Sequence, residues 1–234
     1  MEKFKKILSD WNIDISEEQT ELFERYYDLL VSWNEKTNLT SITGKEDVYI
    51  KHFADSISLL AKTDLSGKSL IDVGTGAGFP AVPIKIMCPD CKVVLADSLN
   101  KRILFLNELI SELGLKDISA IHGRAEDLGS DKLYREKFDV AVSRAVANLS
   151  TLSEYCLPFV KKDGIFVSYK SGKVDDELNG VENAVSILGG SIKEVVKFSI
   201  PYTDYERSFV FIGKIKETGR KYPRKAGTPS KDPL

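Results

Sequence analysis

The chain has no long apolar run, few cysteines and almost no net charge, and each shortage removes a class of protein. No stretch of its 234 residues approaches the length that spans a bilayer. The opening Met1-Glu2-Lys3-Phe4-Lys5-Lys6 lacks the apolar core of a secretion signal, so no membrane partner and a cytoplasmic location are expected. Three cysteines cannot frame a disulfide scaffold. Two of them spell Cys88-Pro89-Asp90-Cys91, but a redox pair of this spacing would open a helix after a strand, whereas this one falls between a predicted helix end and a strand start. A zinc site would need a second pair, so no metal is expected. With 33 basic and 35 acidic side chains, the chain as a whole has no general attraction for nucleic acid. Repeats and low-complexity segments are missing too. The composition, 42% hydrophobic and 29% charged, fits one large α/β domain or one domain with an appendage.

What is present is concentrated between Leu70 and Asp97. Leu70-Ile71-Asp72-Val73 is an apolar run ending in Gly74-Thr75-Gly76-Ala77-Gly78-Phe79-Pro80, a strand turned tightly into a helix that starts near Pro80. A second buried strand, Val93-Val94-Leu95-Ala96, ends on Asp97, 23 residues after Gly74. That is close to the spacing at which a carboxylate accepts hydrogen bonds from ribose hydroxyls in a nucleotide-binding βαβ unit. A dinucleotide fingerprint needs G-x-G-x-x-G, but Phe79 stands where its last glycine would be, and no Lys-Ser or Lys-Thr follows, so a P-loop is excluded. The G-x-G-x-G run, with Gly74, Gly76 and Gly78, resembles the first motif of S-adenosylmethionine-dependent methyltransferases. Their cofactor carries an adenosine and a sulfonium but no phosphate.

Around this unit the pattern alternates. Helices are expected over 2–11, after a capping box at Ser16-Glu17-Glu18-Gln19, and around His52 to Ala61. From Lys68 the reading is strands at 69–73, 92–97, 118–121, 138–142 and 164–169, with helices at 80–87, 101–113 and 175–188. Two closing strands, near 192–198 and 207–213, are expected as an antiparallel pair at one edge. This predicts an α/β fold: a doubly wound, Rossmann-like, mostly parallel sheet over residues 67–213, with an N-terminal helical segment, 1–66, packed on it and a basic tail, 214–234. The three pieces carry net charges of −5, −2 and +5 in the order 1–66, 67–213 and 214–234.

Ligands in such sheets bind beyond the carboxyl ends of the strands. There Ala125 and Glu126 offer an amide and a carboxylate to an adenine edge, although Glu126 also suits the first turn of a helix. Arg144, at the end of strand four, could contact substrate or pair with a neighbouring acid. His52 and Asp55, three apart on one helical face, fit a structural hydrogen bond better than acid–base machinery.

Several strings together resemble one family, the 16S ribosomal RNA guanine-N7 methyltransferases known as RsmG or glucose-inhibited division protein B. They are Trp33-Asn34 with Asn38-Leu39-Thr40, His52 with Asp55-Ser56, the run from Asp72 to Pro80, and Asp97-Ser98 with Lys101-Arg102. Further along come Gly123-Arg124-Ala125-Glu126, Ser143-Arg144-Ala145, and Pro223-Arg224-Lys225 through Gly227-Thr228-Pro229 to Pro233-Leu234. The resemblance runs the whole length and implies cofactor contacts at Gly74, Phe79, Ala125, Glu126 and Arg144. It also implies 16S ribosomal RNA or the small subunit as partner, and a monomer is expected. The runner-up is a methyltransferase acting on another RNA, a protein or a small molecule. The chain has no Asn-Pro-Pro-Tyr clamp, and Cys156 sits in an apolar helix. Guanine N7 fits these absences, because its in-plane lone pair has no proton to lose and methyl transfer to it needs alignment rather than a base. In the tail, Arg220, Lys221, Arg224 and Lys225 are expected to follow an RNA backbone, with three prolines limiting its freedom.

Overall fold

The computed structural model describes residues 1–144 and 147–234, so Ala145, the last member of the Ser143-Arg144-Ala145 string, lies outside the described residues. Seven strands form one sheet: β1 (Ser69–Val73), β2 (Lys92–Asp97), β3 (Ile118–His122), β4 (Phe138–Arg144), β5 (Val160–Ser171), β6 (Gly190–Ser199) and β7 (Glu206–Lys214). Their order is β3-β2-β1-β4-β5-β7-β6. β1 pairs in parallel with both β2 and β4, so the chain reverses its winding between β1 and β4, which is where such sheets open a ligand crevice. β7 is antiparallel to both β5 and β6, as expected of the closing pair.

The helices are α1 (Glu2–Asp10), α2 (Glu17–Thr37), α3 (residues 45–61), α4 (Ala81–Met87), α5 (Asn100–Glu112), α6 (Ala125–Leu128), α7 (Leu149–Cys156), α8 (Asp175–Leu178), α9 (Val181–Ile187) and α10 (Thr228–Lys231). The capping box forms: Ser16 Oγ accepts from Gln19 N–H at 3.1 Å, and Gln19 Oε1 accepts from Ser16 N–H at 2.9 Å. No helix among the described residues is long and apolar enough to cross a membrane.

Several strands run one or two residues past their expected ends, and three boundaries differ for a local reason. β5 begins at Val160 rather than Gly164, because Lys161-Lys162-Asp163 are exposed strand residues beside a register shift and carry no apolar signal. The expected helix over 175–188 is two, α8 and α9, broken at Asn179-Gly180, residue types that favour a turn. α3 starts at Lys45, earlier than expected, and its Val48–Ala54 stretch is wound as a π-helix.

The two faces of the sheet bury different partners. One packs Leu70, Val93, Val140 and Val167 against Phe4, Phe23, Tyr26 and Phe53 of the first three helices. The other packs Ile71, Ala141, Phe166 and Val210 against α7, α9 and Tyr222 of the C-terminal segment. Residues 1–66 thus share the core of the sheet, and their rings interlock around Phe53, which lies 4.9 Å from Phe23 and 5.1 Å from Tyr26. Edge and tilted ring pairs of this kind add roughly 0.5–1.5 kcal/mol each beyond area burial.

Candidate active site

Two chambers meet at the carboxyl ends of β1 and β2, sharing Gly74, Asp97 and Ser98. The larger, about 410 Å³, is walled by Thr40, His52, Gly76, Phe79, Arg102 and Arg144. The smaller, about 180 Å³, is walled by Val73, Ala96, Arg124, Ala125, Glu126 and Tyr155. Asp97, buried at the junction, is held on both oxygens. Oδ2 accepts from Gly76 N–H at 2.9 Å and Arg102 Nη1 at 3.1 Å, and Oδ1 accepts from Leu99 N–H at 2.9 Å. The glycine loop is thereby tied to the acid that follows the next strand.

Asp72 holds the other side of that loop. Its Oδ2 accepts from Thr75 Oγ1 at 2.8 Å and from Ala81 N–H, the first amide of α4, at 3.1 Å. Its Oδ1 is buried without a partner among the described residues, and burial pushes the carboxyl up to about 7. The glycines divide by role. A Cβ on Gly76 would meet nothing within 4 Å, so that stretch of backbone faces open cleft. Gly78, expected to contact cofactor, lines neither chamber. A Cβ there would stand 2.7 Å from both Tyr26 Oη and Val82 Cγ2, with φ at +95°. Glycine is required at 78 because α2 packs against it. Gly78→Ala is therefore expected to destabilise the fold by about 1–3 kcal/mol through overpacking. A chemical-denaturation midpoint equal to the parent's would contradict that.

The N-terminal segment supplies one wall. Phe79 is stacked by His52 at 4.5 Å and by Tyr26 at 5.4 Å, and Tyr26 Oη donates to Ala77 O. Arg144 takes the pairing alternative: Nη1 donates to Asp55 Oδ2 at 2.8 Å, Nη2 meets His52 Nδ1 at 3.2 Å, and the guanidinium lies over the Phe79 ring at 5.0 Å. Asp55 also receives Arg207, Nε at 2.6 Å on Oδ1 and Nη2 at 3.1 Å on Oδ2. His52 and Asp55 are thus joined through Arg144. Because Nδ1 accepts from an arginine, Nε2–H donates to Thr40 Oγ1 at 2.9 Å. Burial, with Arg144 adding to it, lowers the imidazole to about 3, so it is neutral and both nitrogens are engaged.

Glu126 lies in the first turn of α6 and at the same time lines the smaller chamber. Its Oε1 accepts from Gly227 N–H of the C-terminal segment at 2.7 Å. That segment is folded down rather than loose. Arg224, expected to follow RNA, is committed instead to buried Glu154, donating from Nε at 3.0 Å and Nη2 at 2.7 Å. Arg220, Lys221 and Lys225 are exposed. Residue reading alone missed Arg207 as a support of this wall; Thr40 and Asp55 entered only through the strings that carry the family resemblance and through the His52–Asp55 spacing, read as a structural hydrogen bond.

A crystal structure of TYW2 from M. jannaschii in complex with AdoMet matches with a TM-score of 0.56 at 12% identity, over 75% of this chain and 80% of that one. A ribosomal protein L11 methylase from Lactobacillus delbrueckii subsp. bulgaricus matches with 0.54 at 17% identity, over 71% and 79%. At these identities the likeness is one of fold, a Rossmann-like α/β sheet. Sequence narrows the class. The family described as rRNA small subunit methyltransferase G (GidB) matches residues 19–209. The protein named ribosomal RNA small subunit methyltransferase G from Lachnoclostridium phytofermentans is 54% identical over 228 residues, covering 97% of this chain and 94% of that one. Its namesake from Staphylococcus epidermidis is 52% identical over 228 residues, covering 97% and 95%. The chain belongs to the rRNA small subunit methyltransferase G family.

Proposed function

We propose that this enzyme methylates N7 of a specific guanine in 16S ribosomal RNA, using S-adenosylmethionine, and that it works as a cytoplasmic monomer. The observation that carries the reading is the two-chambered cleft, with a carboxylate at its junction, in a chain that matches the family along its length. The cleft fits the cofactor. The smaller chamber has apolar walls from Val73, Ala96 and Ala125 with a carboxylate among them, which suits adenine. Asp97 stands at the junction for ribose hydroxyls, and the open backbone at Gly76 borders the larger chamber, where Phe79 and Arg144 lie. The cofactor supplies an electrophilic methyl group when bound. Gly74, Asp97, Ala125 and Glu126 would hold it, while Phe79 and Arg144 shape the space in which the guanine is aligned. His52 serves as packing for that wall, since a neutral ring with both nitrogens engaged takes no proton.

Asp97→Ala should weaken S-adenosylmethionine binding by about 1–3 kcal/mol through lost hydrogen bonds to a charged group. Calorimetry showing heat only with a nicotinamide dinucleotide would overturn the cofactor assignment. The product is equally diagnostic. A 7-methylguanine carries a fixed positive charge, so reduction and aniline treatment of modified RNA should cut the chain at one guanine. Methyl incorporation without cleavage would move the reaction to another atom.

The RNA backbone is assigned to Arg220, Lys221 and Lys225, because Arg224 is occupied by Glu154. Each phosphate contact removed from structured RNA should reduce the salt slope of binding by about 0.7–0.9. Lys221→Ala with Lys225→Ala is expected to lower the slope by two such steps with cofactor affinity unchanged; an unaltered slope would remove them from the interface.

A further inference from the structure

Beyond Lys214 the chain doubles back across the small-chamber side of the sheet, and its attachments are polar, specific and long in range. Arg135 clamps the bend, donating to Thr218 O at 2.6 Å and Tyr222 O at 2.8 Å. Arg224 then binds Glu154 through its own N–H at 2.7 Å and through its guanidinium. Glu154 is 1% exposed, so its oxygens are satisfied by that partner rather than by solvent. Further on, Thr151 Oγ1 donates to Pro229 O at 3.1 Å and Ser150 Oγ to Leu234 O at 2.9 Å, fastening the last residues along α7. The next residue of α7 after Glu154 is Tyr155, which lines the small chamber. Between these fastenings the Gly227 amide reaches Glu126, itself 5% exposed.

We propose that the C-terminal segment is a strap that completes the cofactor site. In this arrangement Gly227 N–H fixes the Glu126 carboxylate by one oxygen and leaves Oε2, which takes no bond among the described residues, to accept from the ligand in the small chamber. The Arg224–Glu154 pair is the buckle that holds Gly227 in position. A buried carboxylate that loses its donor is left unsatisfied and turns away toward other donors, which removes an acceptor from the adenine end. Gly227 and Arg224 are thus positioning residues for a group that touches cofactor. The inference rests on the assignment of S-adenosylmethionine to this cleft, with its adenine in the small chamber.

The experiment is a double-mutant cycle read by calorimetry on the full chain, with S-adenosylmethionine and with 5′-methylthioadenosine, which lacks the amino-acid end. Arg224→Ala should weaken both ligands by a similar factor, roughly tenfold for a lost charge-assisted contact. Arg224→Lys, which keeps a cationic donor for Glu154, should recover most of the loss. In a Glu126→Gln background the same Arg224→Ala change should cost less than about threefold, because its effect passes through the Glu126 charge. Equal losses in both backgrounds, or parental affinity in a folded Arg224→Ala variant, would overturn the proposal. Folding is checked by circular dichroism. Should Arg224→Ala fail to fold, hydrogen exchange on the unaltered protein decides: the Gly227 amide should exchange more slowly with S-adenosylmethionine bound, and an unchanged rate overturns the strap. An unaltered protein that binds neither ligand would overturn the cofactor assignment instead.

Discussion

Asp55→Ala is expected to lower the free energy of unfolding by about 3–5 kcal/mol, the range for breaking a buried ion pair from one side. The carboxylate is 1% exposed and lies between two arginine side chains that are each 10% exposed. Without it, Arg144 keeps, among the described residues, the Lys51 carbonyl at 3.1 Å, the His52 ring and the face of Phe79, and Arg207 loses both of its bonds to Asp55. Both guanidinium groups would then lose the carboxylate they share. Asp55→Asn keeps the shape and one acceptor, so it should fall between parent and alanine variant. Urea unfolding curves measure both, and a change below about 1 kcal/mol for alanine, the ceiling for an exposed pair, would show that the two arginines find other partners. The loss should extend to the cleft, because Asp55 is what turns the Arg144 guanidinium over Phe79.

The second large effect is a pH dependence centred on His52. Its folded value, about 3, lies below the ordinary imidazole value of 6.5. Between those two values the unfolded chain binds a proton that the folded chain does not. Stability from this group is therefore complete above pH 6.5 and is lost as pH falls toward 3, by about 1.4 kcal/mol per pH unit. His52→Gln removes that loss. The variant is expected to be less stable than the parent at pH 7, where the ring stack on Phe79 is gone, and to gain on the parent steadily below pH 6.5. Asp72 gives the opposite sign: burial raises it from 3.8 to about 7, so its folded form binds the extra proton and stability falls as pH rises through that window. Asp72→Asn should accordingly gain on its parent from pH 4 to pH 7. Because the two groups act in opposite directions in the parent, each is read from the difference between variant and parent unfolding curves taken across pH. A His52→Gln difference that stays flat from pH 6.5 to pH 4 would mean the imidazole is solvated.

The sequence by itself determined the elements whose signals are local. A strand, its glycine turn and its helix occupy Leu70 to Met87 in one unbroken length, and the apolar alternation that follows names a parallel sheet before any contact is known. The spacing from Gly74 to Asp97 was equally legible, since one crossover joins two neighbouring strands and brings Asp97 back to Gly76 N–H. The charged stretch at Lys161-Lys162-Asp163 was not legible as strand, because exposed edges and register shifts leave no hydrophobic period. Which charge meets which is set by the folded packing. Asp55 finds Arg144 and Arg207 at separations of 89 and 152 residues, Glu154 finds Arg224 at 70, and Glu126 finds the Gly227 amide at 101. Nothing in residue type or period specifies these pairs, because a buried ion takes the partner that packing brings within about 3 Å and the chain between them carries no record of it. The same holds for Gly78, which reads in sequence like its two neighbouring glycines. Besides its positive φ and the nearby Val82, what constrains it is a tyrosine hydroxyl from a helix 52 residues earlier, and packing of that kind exists only once the helix has docked.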